Sequence, residues 1–139
     1  NICVGEIGKN WKNIYIQMMK GLEATTTEYV AIAEHDCLYT NEHFNWVPPR
    51  KDTFYYNHNH WILQWSGQNA GTFSYWPRRS ALSQLICSRD LLAESVSERL
   101  YWLNKGYEIQ KGRRGAGEPG VCEQNGKASI TSSGTFADQ

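Results

Sequence analysis

The run Tyr29-Val30-Ala31-Ile32-Ala33 is almost continuously apolar and stops abruptly at Glu34-His35-Asp36. A run this short and this uniform suits a central strand covered on both faces, because a half-exposed strand would alternate apolar with polar residues. Before it, Trp11, Ile14, Tyr15, Met18, Met19 and Leu22 fall on one face of a helix. Asn10 is placed to cap that helix, and the β-branched Thr25-Thr26-Thr27 ends it. Ahead of the helix stands another apolar run, Ile2-Cys3-Val4. Strand, helix and strand in this order predict a right-handed parallel crossover.

Val47-Pro48-Pro49-Arg50 breaks the pattern, since each proline fixes its own φ and biases its predecessor away from helix. Thr53 to Trp65 and Gly71 to Trp76 are rich in aromatic and β-branched residues. Ser66-Gly67-Gln68-Asn69 lies between them, a composition that predicts an antiparallel hairpin. From Ser80 the spacing of Leu82, Leu85 and Ile86, then of Leu92, Val96, Leu100 and Leu103, predicts helices that end near Gly106, the second capped by Asp90 after a break at Ser88-Arg89. The expectation is an α/β fold: one domain with a mixed sheet that contains a parallel βαβ crossover and an antiparallel hairpin. Its body covers residues 1–110. The Gly/Arg/Ser-rich residues 111–139 form a C-terminal segment expected to dock on it, although composition alone would make them a flexible tail.

At 139 residues the chain can bury most of the surface its unfolded form exposes without help from disulfides or a structural metal. Lys plus Arg and Asp plus Glu are both 14, so no global field favours nucleic acid or an anionic membrane. No apolar run reaches bilayer-spanning length and no secretory pattern opens the sequence, which predicts a soluble, cytoplasmic protein. Cys3, Cys37, Cys87 and Cys122 are scattered, as reduced cytosolic thiols would be. An opening Asn-Ile-Cys-Val without Met leads us to expect a piece of something longer.

The sharpest chemical feature is the acidic pair. Two carboxylates two residues apart at the carboxyl end of a strand can face one crevice where open α/β sheets bind ligands. Hard oxygens of this kind suit Mn²⁺ or Mg²⁺, which neutralise a diphosphate. A solvated strand end would carry the same residues. The run from Glu28 to Tyr39, with Met18-Met19-Lys20-Gly21-Leu22 in the helix before it, resembles the strand and acidic motif of GT-A-type, family-2-like glycosyltransferases. That resemblance covers roughly residues 1 to 60. It implies a GT-A-like fold, with Asp36 as metal ligand, Glu34 on the donor ribose or behind the metal, and a nucleotide-diphosphate sugar as donor substrate. His35, inside the motif, is a further candidate ligand.

In Asn57-His58-Asn59-His60, a strand would point His58 and His60 the same way, and Asp36 would complete a two-His-one-carboxylate metal set. Lys111 to Gly120 joins cations to a flexible backbone, so Arg113 and Arg114 are candidates to close over phosphate. Asp90 and Glu118 are candidates for the base that deprotonates an acceptor. The dense aromatic residues between Thr53 and Trp76, Trp61 and Trp76 among them, are expected to line the crevice of Asp36 and stack on sugar. The leading reading is a metal-dependent glycosyltransferase domain acting on an unknown acceptor. Its rivals are a non-catalytic truncated binding module and a His-rich metalloenzyme. No membrane partner is expected, nothing makes a strong case for nucleic acid, and homo-oligomer formation stays open.

Overall fold

The computed structural model describes residues 2–59, 61–75, 81–106 and 135–138. His60, Trp76, Arg113, Arg114, Glu118 and Cys122 lie outside them, as does most of residues 111–139. The chain is a mixed α/β structure. Helix α1, Trp11–Ala24, starts where expected: the Asn10 side chain accepts a hydrogen bond from the Asn13 N–H at 2.9 Å, satisfying a donor that the first helical turn leaves without an intrahelical partner. Strand β1 is Tyr29–Ala31, and a short helix α2, Asn41–Asn45, follows. Then come β2 (Thr53–Tyr56), β3 (Trp61–Leu63) and β4 (Phe73–Tyr75). A 3₁₀ turn at Leu82–Gln84 leads into β5, Leu85–Ser88, and directly into helix α3, Arg89–Asn104. Strand β6 is Thr135–Asp138.

Four strands form the main sheet in the order β1-β5-β2-β6. Strand β5 is antiparallel to both of its neighbours, and β6 is parallel to β2. Strands β1, β2 and β6 therefore run the same way, with β5 against them. The sheet is mixed, as expected, but among the described residues no parallel βαβ crossover is formed. Ile2-Cys3-Val4 makes no strand; Ile2 is 57% exposed, and three residues without a partner strand have no ladder to join. Strand β1 is also not central. It sits at the sheet edge, half-buried along its length. The central, fully covered strands are β5 and β2. For β5 the helical reading of Leu85 and Ile86 is overturned, because an apolar run of three residues, Leu85 to Cys87, carries no period that separates strand from buried helix.

One sheet face carries Phe54, Tyr56, Leu85 and Cys87, and packs under α1 and α3 through Tyr15, Leu22, Leu91, Leu92 and Val96. At the contact of the two helices Arg99 is 1% exposed, and its guanidinium lies 5.8 Å from the centre of the Tyr15 ring. The other face holds Tyr55 and Ile86, and Trp46 packs edge-on against Tyr55 at 5.0 Å. Strands β3 and β4 form the expected hairpin, paired Trp61↔Tyr75, Ile62↔Ser74 and Leu63↔Phe73. The long first strand predicted from Thr53 to Trp65 is instead two, in different sheets, broken at Asn57. No described helix is long and apolar enough to cross a membrane.

Candidate functional site

The register fixes which residues share an end of the sheet. Ala31, Ile86 and Tyr55 lie in one row across β1, β5 and β2. In the next row the Ile32 N–H donates to the Leu85 carbonyl, and Tyr56 faces Leu85 and Asp138. Beyond that row, Glu34 leaves β1 and Asn57 leaves β2, so both chains depart from the same end. This is the carboxyl end of the three like-directed strands, where ligands of open α/β sheets collect.

The chain leaving β1 turns at once: the Cys37 N–H donates to the Glu34 carbonyl at 3.3 Å. That turn draws a carboxylate oxygen of Glu34, one of Asp36 and the Cys37 sulfur to within 4.8 Å of one another. Two ligands about 2.1 Å from one ion stand at most about 4.2 Å apart, so small rotations bring this trio into a shared shell. Glu34, His35 and Asp36 are exposed, and no described Lys or Arg pairs with either carboxylate. The two hard oxygens fit Mn²⁺ or Mg²⁺, while the thiol adds a preference for softer ions.

Tyr39 and α2 hold the turn from behind. The Glu34 N–H donates to the Tyr39 hydroxyl at 2.9 Å, and burial pushes the Tyr39 phenol upward. The Tyr39 ring lies 5.0 Å from that of His43 and 5.1 Å from that of Phe44. His43 is 6% exposed, its burial lowers its pKa, and neither ring nitrogen has a hydrogen-bond partner among the described residues. It packs as an aromatic ring. Sequence reasoning missed Cys37 as a member of the cluster and Tyr39 as its support. Their adjacency to the acidic motif was the available signal.

The other expected residues separate. His35 and His58 stand outside the ligand trio, and His58 lies in the connection from β2 to β3, so the strand alternation invoked to align it with His60 does not apply. The two-His-one-carboxylate set is not assembled among the described residues. Asp90 is at the opposite end of the sheet from Glu34 and Asp36. Strand β5 runs against β1, so Asp90, just past Ser88, lies off the amino end of β1, and its carboxylate is engaged by the neighbouring Arg89 at 2.7 Å.

At that end lies a cavity of about 610 Å³, lined among others by Thr27, Glu28, Lys51, Asp52, Arg89 and Asp90. Lys51 pairs with Glu28, Arg89 with Asp90 at 2.7 Å and Asp52 with the nearby Arg50 at 2.7 Å, while Glu94 is a further acid of the lining. The hairpin aromatics line no part of this cavity and stand on open surface. Comparison with protein-family models, with curated proteins and with solved structures finds no match to this chain.

Proposed function

We propose that the chain is a glycosyltransferase-like domain that binds a nucleotide-diphosphate sugar through a divalent Mn²⁺ or Mg²⁺ held by Glu34 and Asp36. The supporting observation is the turn after β1, which gathers Glu34, Asp36 and Cys37 within 4.8 Å at the carboxyl end of the like-directed strands. No described Lys or Arg pairs with these carboxylates, which leaves both available to a cation. When bound, the ion supplies positive charge to the departing diphosphate. The chain's own part is to fix the carboxylates: Tyr39 anchors the Glu34 backbone, and the turn hydrogen bond from Cys37 sets the spacing. Asp90, expected as a base, is too far along the sheet to serve at this end.

A carboxylate pair holds a divalent ion weakly until phosphate oxygens complete its shell, so metal and nucleotide should bind together. Thermal melts with Mn²⁺ alone, uridine diphosphate alone and both together test this. A ligand at a hundred times its dissociation constant stabilises the native state by about 2.7 kcal/mol, and only the combination should reach that size. Asp36→Asn should abolish the joint shift. It should leave the unliganded melt unchanged or slightly higher, because removing one charge relieves repulsion in the empty cluster. No joint shift in the wild type, or its survival in Asp36→Asn, defeats the reading; stable metal binding without turnover on any sugar nucleotide would favour a non-catalytic module.

A further inference from the structure

Helix α2 lies beside the acidic turn and is kept formed by its packing. Its five residues are too few to stay helical alone in water, and no side chain caps its start. A cluster of three rings fastens it. Those of Tyr39 and His43 are 5.0 Å apart, and Phe44 stands 5.1 Å from each. The same Tyr39 accepts at its hydroxyl from the Glu34 N–H, so one side chain joins α2 to the turn that gathers Glu34, Asp36 and Cys37.

Of the three rings only His43 changes charge near neutral pH, since burial raises the Tyr39 phenol and Phe44 has no proton to exchange. His43 is buried, and neither ring nitrogen has a partner among the described residues. Nothing described around it answers a positive charge. From the segment before α2 it meets Tyr39, a neutral phenol. On α2 itself the adjacent acid is Glu42, whose carboxylate takes hydrogen bonds from its own N–H and from Thr40. Past the end of α2, Trp46 turns to Tyr55 of β2. Burial alone moves the His43 pKa, so neither Glu34, Asp36 nor any other charged group among the described residues acts on the ring. A buried charge without a partner costs more than the contacts of one short helix return.

We propose that α2 is a pH-operated latch on the acidic turn: a proton taken from solvent by His43 drives the ring out into water, α2 moves with it, and the Tyr39 hydroxyl is drawn off the Glu34 N–H. The turn then loses its support from behind, and the ligand atoms of Glu34, Asp36 and Cys37 are no longer held together. Neutral His43 keeps the latch closed, and acid opens it. That opening releases a divalent cation rests on the glycosyltransferase reading, whereas the latch itself does not.

The test follows the His43 imidazole and the Glu34 amide of the full chain by NMR from pH 8 to pH 5. Neither metal nor nucleotide is present, so a failure here is separate from a failure of the metal-and-nucleotide melts. The two signals should move together, with one midpoint below the ordinary imidazole value of about 6.5, while the amides of β5 stay in place. Tyr39→Phe keeps the ring and removes the hydroxyl, so it should put the Glu34 amide near its acid position at every pH. His43→Phe should cancel the movement, leaving only the onset of carboxylate titration. One pH unit below the midpoint about nine-tenths of the molecules are open, so joint binding of Mn²⁺ and uridine diphosphate should weaken about tenfold there in the wild type and not in His43→Phe. An imidazole that titrates while the Glu34 amide stays still, one that does not titrate above pH 5, or an amide movement that survives His43→Phe overturns the latch. The wild-type titration decides the matter even where His43→Phe does not fold.

Discussion

A buried imidazole with two idle nitrogens is a liability whose sign can be worked out. His43 is enclosed by Tyr39 and Phe44, and its burial lowers its pKa below the ordinary value of about 6.5. Above that value both folded and unfolded chains hold the ring neutral, and His43 contributes nothing to pH dependence. As pH falls through about 6.5 the unfolded chain takes up a proton that the folded chain refuses, so unfolding gains and stability drops until the lowered folded pKa is reached. The melting temperature should therefore fall between pH 7 and pH 5. His43→Phe should remove that part of the fall and add about 1 kcal/mol at pH 7, since it deletes two unsatisfied nitrogens while keeping an aromatic ring. Parallel melts of the two proteins at both pH values decide it; an identical pH slope would mean that His43 is hydrated. Cys87 is a quieter buried group: desolvation pushes its thiol up to about 12, so it serves the core and not redox chemistry.

Among the elements, the junction of β5 and α3 carries the most from one side chain. Ser88 Oγ accepts from the Leu91 N–H at 3.3 Å as the cap of α3, and donates to the Lys51 carbonyl at 2.7 Å, tying the helix start to the chain entering β2. Ser88→Ala loses the cap and the part-buried hydrogen bond to the Lys51 carbonyl, so it should destabilise by about 1–2 kcal/mol in urea titration, against about 1 for a cap alone. The capping role was assigned from sequence to Asp90 because Asp is as good a cap as Ser; the boundary of a strand buried on both faces decided between them. Helix α1 was legible in full, because fourteen residues give its 3.6-residue period room to repeat and Asn10 marks its start. The hairpin was legible from its glycines and amides. Strand β1 was found but misplaced, since apolar content cannot tell a half-covered edge from a central position. At the site, the Glu34–Asp36 spacing could be read, whereas the approach of Cys37 depends on a turn whose geometry lies in backbone hydrogen bonds.

At the scale of the molecule, the direction of the strands separates two regions that composition treats alike. One end of the sheet has carboxylates that no described Lys or Arg pairs, and the exposed aromatic hairpin; the other has the cavity, in which Lys51 and Arg89 are each matched by an acid and Asp52 by the nearby Arg50. Charges that already satisfy one another have little left for a ligand, and this end also anchors the start of α3. The two carboxylates Asp36 and Asp90 thus offer a matched pair of substitutions at opposite ends of one sheet. Asp90→Asn removes a charge from the first turn of α3 and loosens its contact with Arg89, so it should lower the melting temperature by a few degrees at most, with the larger loss at low salt. It should leave the joint response to Mn²⁺ and uridine diphosphate intact, and any glycosyl transfer with it, whereas Asp36→Asn should remove the response. If Asp90→Asn abolishes the joint shift in a protein that still melts cooperatively, ligand binding belongs to the cavity beside α3 and the assignment of the site to the carboxyl end of β1 is wrong.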